Sequence, residues 1–507
     1  MGKKIPLSNV IAVFVFTLIA ISWGRNMFGM LLGEIFGSSY GDTHSTLILS
    51  TVVAALVAYK YGYKWDFIQT GIFSALHRAM PAIIILGIVG MLIGSWMVSG
   101  VVPAMIYYGL MILKPSIFYL AVCLICCVVS LATGTSWGTA GTVGIAFVGI
   151  SQGLDMSLAI TAGAIVSGAY FGDKMSPLSD TTNIAAASAG ANLFDHIKHM
   201  TYSVTPALIL SLILYGILGA VSASSSDAAD VSRVVMLQEG FAENFNIHLG
   251  LMLPPIIVIV LIALKMPAFP ALMAGVFLGC IAAVIWQGTP LGDLPTVLHY
   301  GFTFEDSSVV LPEIVELAER GGLDSMLWTI SLIMCAMCLG GVMDSTGMLT
   351  TLSQALLQKA KTTGLLVLTT IITCVFMNMI AGDSCLTIVL TGRMFKEEYE
   401  NRRLHRKNLS RALEDGGTMT SALIPWNSCG ATMAGFLGVP TLIYLPYAFL
   451  NLLCPLISIF FGFTGITMHK TTDEEYAEIM REREEDRIAA EKQLKSDGAS
   501  DKDVQLV

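Results

Sequence analysis

Gly172-Asp173-Lys174-Met175-Ser176-Pro177-Leu178-Ser179-Asp180-Thr181-Thr182-Asn183 packs two carboxylates, one amine and five Ser, Thr or Asn oxygens into one short stretch. Its surroundings decide the fold. The 507-residue chain is 54% hydrophobic and 13% charged, with mean hydropathy +0.72, whereas soluble globular chains carry roughly 25% charged residues. A bilayer core of about 30 Å takes about 20 apolar residues per helix. Apolar runs recur at 8–23, 46–58, 81–113, 116–132, 201–221, 249–264, 270–286, 326–343, 364–381 and 436–462. The expected fold is an all-α polytopic membrane protein with about 10–12 transmembrane segments. A charge placed in such a segment costs about 2.5–3.5 kcal/mol, so the polar island reads as functional.

Working outward, Pro177 cannot donate a backbone hydrogen bond and disfavours helix at the residue before it, so the helix should break near Ser176. Two other islands interrupt apolar stretches: Thr133-Gly134-Thr135-Ser136-Trp137-Gly138-Thr139 and Asn378-Met379-Ile380-Ala381-Gly382-Asp383-Ser384. Non-helical backbone at membrane depth is tolerated only inside protein or along a wet cavity. The breaks offer carbonyls and hydroxyls to a cation, and helix N-termini to an anionic group.

Sliding the chain on itself by roughly 247 residues sets Gly94–Gly100 on Gly341–Gly347, Thr133–Ser136 on Ala381–Ser384, and Ser176–Asn183 near Ala422–Ser428, the mark of an internal repeat. Flanking charge differs between the copies. Residues Lys60–Arg78 before the first are basic, whereas Gly288–Asp324 before the second is acidic. Two inverted repeats with re-entrant hairpins or broken helices are therefore expected, with the divisions 1–63 (first helices), 64–224 (repeat one), 225–324 (linking loops and two helices), 325–465 (repeat two) and 466–507 (charged tail). Lysine and arginine mark cytoplasmic loops. The cluster Arg393, Lys396, Arg402, Arg403, Arg406, Lys407 and Arg411, together with Lys3 and Lys4, puts both termini inside. Met1–Ile21 reads as an uncleaved first helix, and the tail from Thr471 as a charged helix with a flexible end.

The ten cysteines lie mostly in apolar stretches without metal-ligand spacing and read as packing residues. His196 and His199 flank Lys198 in what reads as an interfacial loop, and Glu414 and Asp415 read as groups at the cytoplasmic mouth beside Arg411. No nucleic-acid footprint is present, and no HExxH or GxSxG arrangement supports an enzyme.

The segment from Tyr170 to Asn183 resembles the signature of the NhaC family of sodium/proton antiporters. The likeness runs over roughly residues 8–465, including Thr133–Thr139 and Pro425–Gly430, and leaves out the acidic tail. It implies a secondary antiporter of the ion-transporter superfamily in the cytoplasmic membrane, exporting sodium against protons by alternating access, with no cofactor beyond the transported sodium ion. Some members of the family instead exchange malate against lactate or carry amino acids. The expected partners are therefore sodium, protons and the lipid bilayer, with a small organic acid or amino acid as alternative cargo and a homodimer as candidate assembly.

The candidate sodium ligands are Asp180, Thr181, Thr182, Asn183, Thr135, Ser136, Asp383, Ser384, Asn427 and Ser428, hard oxygens suited to a small alkali cation. The candidate proton-coupling groups are Asp173, Asp180, Lys174 and Asp344. Asp180 is expected to be indispensable.

Overall fold

The computed structural model describes residues 2–24, 43–224 and 229–496. It is helical throughout, with no strand among the described residues beyond an isolated Leu404–Lys470 bridge. Arg25, Asp227 and the end of the tail after Ser496 lie outside the described residues.

Among the described residues, seven helices are long and apolar enough to cross a bilayer: Thr43–Lys60, Trp65–Val98, Pro115–Thr133, Leu193–Ser222, Ala268–Gln287, Asp324–Ser345 and Thr363–Ala381. Two bent pairs, Val234–Asn244 with Leu249–Ala263 and Ser428–Leu437 with Thr441–Tyr447, raise the number to nine if each is one span. Parts of three expected apolar runs form shorter helices instead, Leu7–Ile21, Val101–Ile112 and Phe449–Thr464, and a further short apolar helix spans Met348–Leu357. The outer surface suits lipid. On the 193–224 helix Ile209, Leu210, Ile213, Leu214 and Ile217 are exposed at helical spacing, where water would penalise them and hydrocarbon does not.

Each break expected from the sequence is a real interruption with its own cap. The helix Phe118–Thr133 ends at Gly134, whose φ of 70° is left-handed, and Thr135 restarts the chain by accepting the Gly138 N–H at 3.2 Å. Thr363–Ala381 ends in the same way at Gly382 (φ 69°), after which Asp383 caps the next helix by accepting the Leu386 N–H at 2.7 Å. Gly100 and Gly347, with φ of 79° and 73°, turn the chain at matching places. Ser176 is extended ahead of Pro177, so Leu158–Met175 stops there and a helix resumes over Asp180–Ala189. The first limb of each interrupted segment, Pro115–Thr133 or Thr363–Ala381, is itself long enough to cross.

Small residues bring the site-bearing helices together. A Cβ on Gly172 would fall into the backbone of Ser130, and one on Gly168 would meet the Cys126 side chain at 2.6 Å. Leu158–Met175 therefore lies flush against Phe118–Thr133. The stretch from Gly288 to Asp324 is more than a loop: Gly322 donates its N–H to Gly90 O at 2.8 Å, docking it on the long Trp65–Val98 helix.

The tail helix Asp473–Ser496 lies across the basic cluster. Arg403 reaches Asp473 at 2.5 Å, Arg406 reaches Glu482 at 2.9 Å and Arg483 reaches Glu397 at 3.3 Å, while the Arg403 guanidinium sits 4.6 Å over the Tyr476 ring. Beside it, His405 and His469 are held below the usual imidazole range by burial and by Lys407.

Candidate functional site

Three chain segments meet at Asp173. It sits near the end of Leu158–Met175, and its carboxylate accepts the Ser136 hydroxyl at 2.5 Å and the Ser179 hydroxyl at 2.8 Å. Ser136 opens the helix after the Gly134 break, and Ser179 precedes the helix that begins at Asp180. A carboxylate fixed by two hydroxyls at the mouth of two helices is a hard-oxygen pocket. Thr181 joins through a 3.1 Å contact with the Ser179 hydroxyl.

The neighbouring candidates divide by role. Thr182 donates to the backbone carbonyls of Asp173 and Lys174 at 2.8 and 3.1 Å, and Asn183 donates to those of Pro177 and Ser179 at 2.9 and 2.8 Å. Both satisfy carbonyls freed by the break. Asp180 is exposed at the start of its helix.

From the later part of the chain, Asp383 and Ser384 come to the same region. The helix they open, Ser384–Asn401, packs against Asp180–Ala189, and the Ser384 hydroxyl lies 3.6 Å from Cys429 Sγ. Asn427 accepts the Cys429 N–H at 3.0 Å and donates to Asn378 O at 3.0 Å, while Asn378 donates to Gly417 O at 2.7 Å. The Ser428 N–H closes the break on Gly382 O at 2.8 Å. Asn427 and Ser428 thus clamp the interruption together, Asn427 through its side-chain amide and Ser428 through its backbone N–H. Thr135 is likewise occupied as a cap. Asp344 is not brought here: it pairs with Arg78 at 3.2 Å, both side chains partly exposed.

Lys174 turns away from Asp173. It is completely buried and pairs with Asp415 at 2.5 Å, and Ser203 donates to the same carboxylate oxygen at 3.2 Å. Glu414 is equally buried. The expectation that Glu414 and Asp415 stand at a mouth beside Arg411 is therefore corrected. Residues 414–418 form a π turn in which Gly416 packs on Ile371 and Cys374, and Gly417 on Ile388, drawing both acids inward. One sequence signal pointed to them: an in-span lysine needs a buried carboxylate partner. His196 and His199 are also buried, on the inner face of the 193–224 helix, rather than in a loop.

Among the described residues no three His, Cys, Asp or Glu side chains gather as a metal site. The oxygens gathered at Asp173 are its own carboxylate and the hydroxyls of Ser136 and Ser179, a hard-oxygen set. An open pocket of about 500 Å³ is lined by Ile184, Ala187, Ser188, Val389, Arg393, Lys396 and Glu397. Helical spacing places Asp180 one turn before Ile184 on that same face.

Residues 168–466 match a family model described as the Na+/H+ antiporter family. The Na(+)/H(+) antiporter NhaC of Alkalihalophilus pseudofirmus is 39% identical over 80% of this chain and 86% of its own length. The malate-2H(+)/Na(+)-lactate antiporter of Bacillus subtilis is 37% identical over 78% and 84%, and the arginine/ornithine antiporter ArcD of Halobacterium salinarum is 36% identical over 82% and 84%.

Proposed function

The chain belongs to the Na+/H+ antiporter family, and on that premise we propose that it exchanges sodium for protons across the cytoplasmic membrane by alternating access. The observation that carries this reading is the Asp173 carboxylate, held by Ser136 and Ser179 at the meeting of two helix breaks. Sodium binds at Asp173 with these hydroxyls, and Thr181, Asp383 and Ser384 close the shell from the other side. Asp180, exposed beside the cavity, gathers the cation. The matching caps at Gly134 and Gly382, with the opposite loop charges around them, support two inverted repeats whose relative motion exposes the site to either side. Basic loops support cytoplasmic termini.

In proteoliposomes, an imposed sodium gradient is expected to drive opposite proton movement with no organic solute present. A second reading has its own observation: Arg393 and Lys396 line a cavity within the range that holds small ligands, roughly 300–1,000 Å³, and would suit a carboxylate cargo. Proton movement that appears only on adding malate, lactate or an amino acid would replace the first reading by this one.

Asp180→Asn separates gathering from binding. Removing one solvent-screened charge of about 1 kcal/mol should raise the half-saturating sodium concentration roughly fivefold and leave the maximal rate nearly unchanged. Complete loss of transport in correctly inserted protein would instead put Asp180 in the binding shell.

A further inference from the structure

The buried charges around residue 414 are not used by the sodium site. Glu414 is fully buried, with the Thr418 hydroxyl as a neighbouring donor and no well-formed hydrogen bond to either carboxylate oxygen; Asp415 Oδ2 is also unpartnered. An ionised carboxylate in this state loses its hydration and recovers little of it in hydrogen bonds, whereas the neutral acid is carried cheaply. Lys174 is paired with Asp415 at 2.5 Å, so among the described residues Glu414 has no ion-pair partner of its own. It lies in a π turn, a local irregularity of the kind that recurs at functional positions.

The charged and titratable groups facing this pocket are Lys174 and Asp173 from Leu158–Met175, Asp415 from the turn itself, Arg411 from Arg406–Leu413, His196 from Leu193–Ser224, Cys374 from Thr363–Ala381 and Cys454 from Phe449–Thr464. The end of Leu158–Met175 that carries Asp173 packs against the 414–418 turn and is joined to it by the Lys174–Asp415 pair. Asp173 and Glu414 differ in access, since Asp173 stays partly exposed while Glu414 is sealed.

We propose that Glu414 carries the transported proton at a site separate from the sodium-binding Asp173, with the Lys174–Asp415 pair as its fixed electrostatic partner. This rests on the sodium/proton reading above. The step makes and breaks only an O–H bond: the carboxylate takes a proton from water on one side and returns it to water on the other. Coupling follows from electrostatics, because a proton on Glu414 weakens the field that holds sodium at Asp173, and sodium there weakens the hold on the proton by the same factor. The sealed position of Glu414 requires a conformational change before its proton can exchange.

The test uses purified full-length protein in liposomes with an entrapped pH dye, together with radioactive sodium. Glu414→Gln is expected to lower sodium-driven proton movement by roughly a hundredfold while sodium–sodium exchange stays within about twofold, and Glu414→Asp to recover part of the coupled rate. Infrared difference spectra of the wild type on adding sodium should show loss of a buried carboxylic-acid band, absent from Glu414→Gln. Coupled proton movement at the wild-type rate in Glu414→Gln overturns the proposal and leaves the antiporter reading intact. A wild type with sodium–sodium exchange but no sodium-driven proton movement overturns the antiporter reading itself. Should the variant lose both fluxes, the wild-type spectrum decides: a sodium-sensitive carboxylic-acid band supports the proposal, and its absence overturns it.

Discussion

Asp173→Asn is expected to abolish sodium-dependent transport while leaving the protein folded and in the membrane. The amide matches the carboxylate in shape, and its oxygen can still accept a hydroxyl from Ser136 or Ser179, so the cost to stability should be about 1 kcal/mol. The cost to sodium is of another order. A unit charge at about 4 Å contributes about 4 kcal/mol at the effective dielectric typical of proteins, and each 1.4 kcal/mol is a factor of ten, so sodium affinity should fall roughly a thousandfold. Sodium uptake into proteoliposomes and the thermal midpoint in detergent measure the two effects separately. Retention of more than about a tenth of the wild-type rate would remove Asp173 from the sodium shell.

The second large effect concerns stability. Lys174→Gln leaves Asp415 buried without its cation, next to Glu414, and breaking a buried pair in this way typically costs about 3–5 kcal/mol. Asp415→Asn should cost less, because Glu414 stands beside the lysine and is available as a substitute counter-ion. The double substitution Lys174→Gln with Asp415→Asn should be more stable than Lys174→Gln alone, since no orphaned charge remains. This ordering is what a thermal or denaturant series in detergent tests. Equal stability of all three variants would mean that the pair contributes nothing to the folded state.

Much of the architecture could be read from the chain because the bilayer imposes lengths and penalties that leave a direct mark. Apolar runs became helices, and Gly134, Pro177 and Gly382 became breaks, since each acts on its own backbone neighbours. Asp173 stood out for the same reason, as a candidate proton-coupling group, since a charge in an apolar segment is costly; its hydroxyl partners Ser136 and Ser179 appear only in the fold. The expected number of segments exceeded the long helices because several apolar runs, such as Val101–Ile112, are divided by turns that a hydropathy average smooths over.

What escaped the sequence reading depends on distance along the chain. Lys174 finds Asp415 across 241 residues, and its immediate neighbour Asp173 was the more obvious partner. Glu414 and Asp415 follow Arg411, so a linear reading put them at a basic surface. Their burial comes from Gly416 and Gly417 seating the π turn against two other helices, a matter of close approach rather than of composition. His196 and His199 were misplaced because Lys198 between them points outward while the i, i+3 spacing turns both rings inward.

The ion pairs that hold the tail helix over the basic cluster have a consequence of their own. Their acidic members, Asp473, Glu482 and Glu397, are about half exposed or more, and pairs of this kind are individually weak and open to screening. The Debye length shrinks from about 8 Å at physiological ionic strength to about 3 Å at 1 M salt. The tail's hold on the membrane domain is therefore graded by ionic strength, firm in dilute solution and loosened as salt rises, with no residue changing its protonation and no ligand binding.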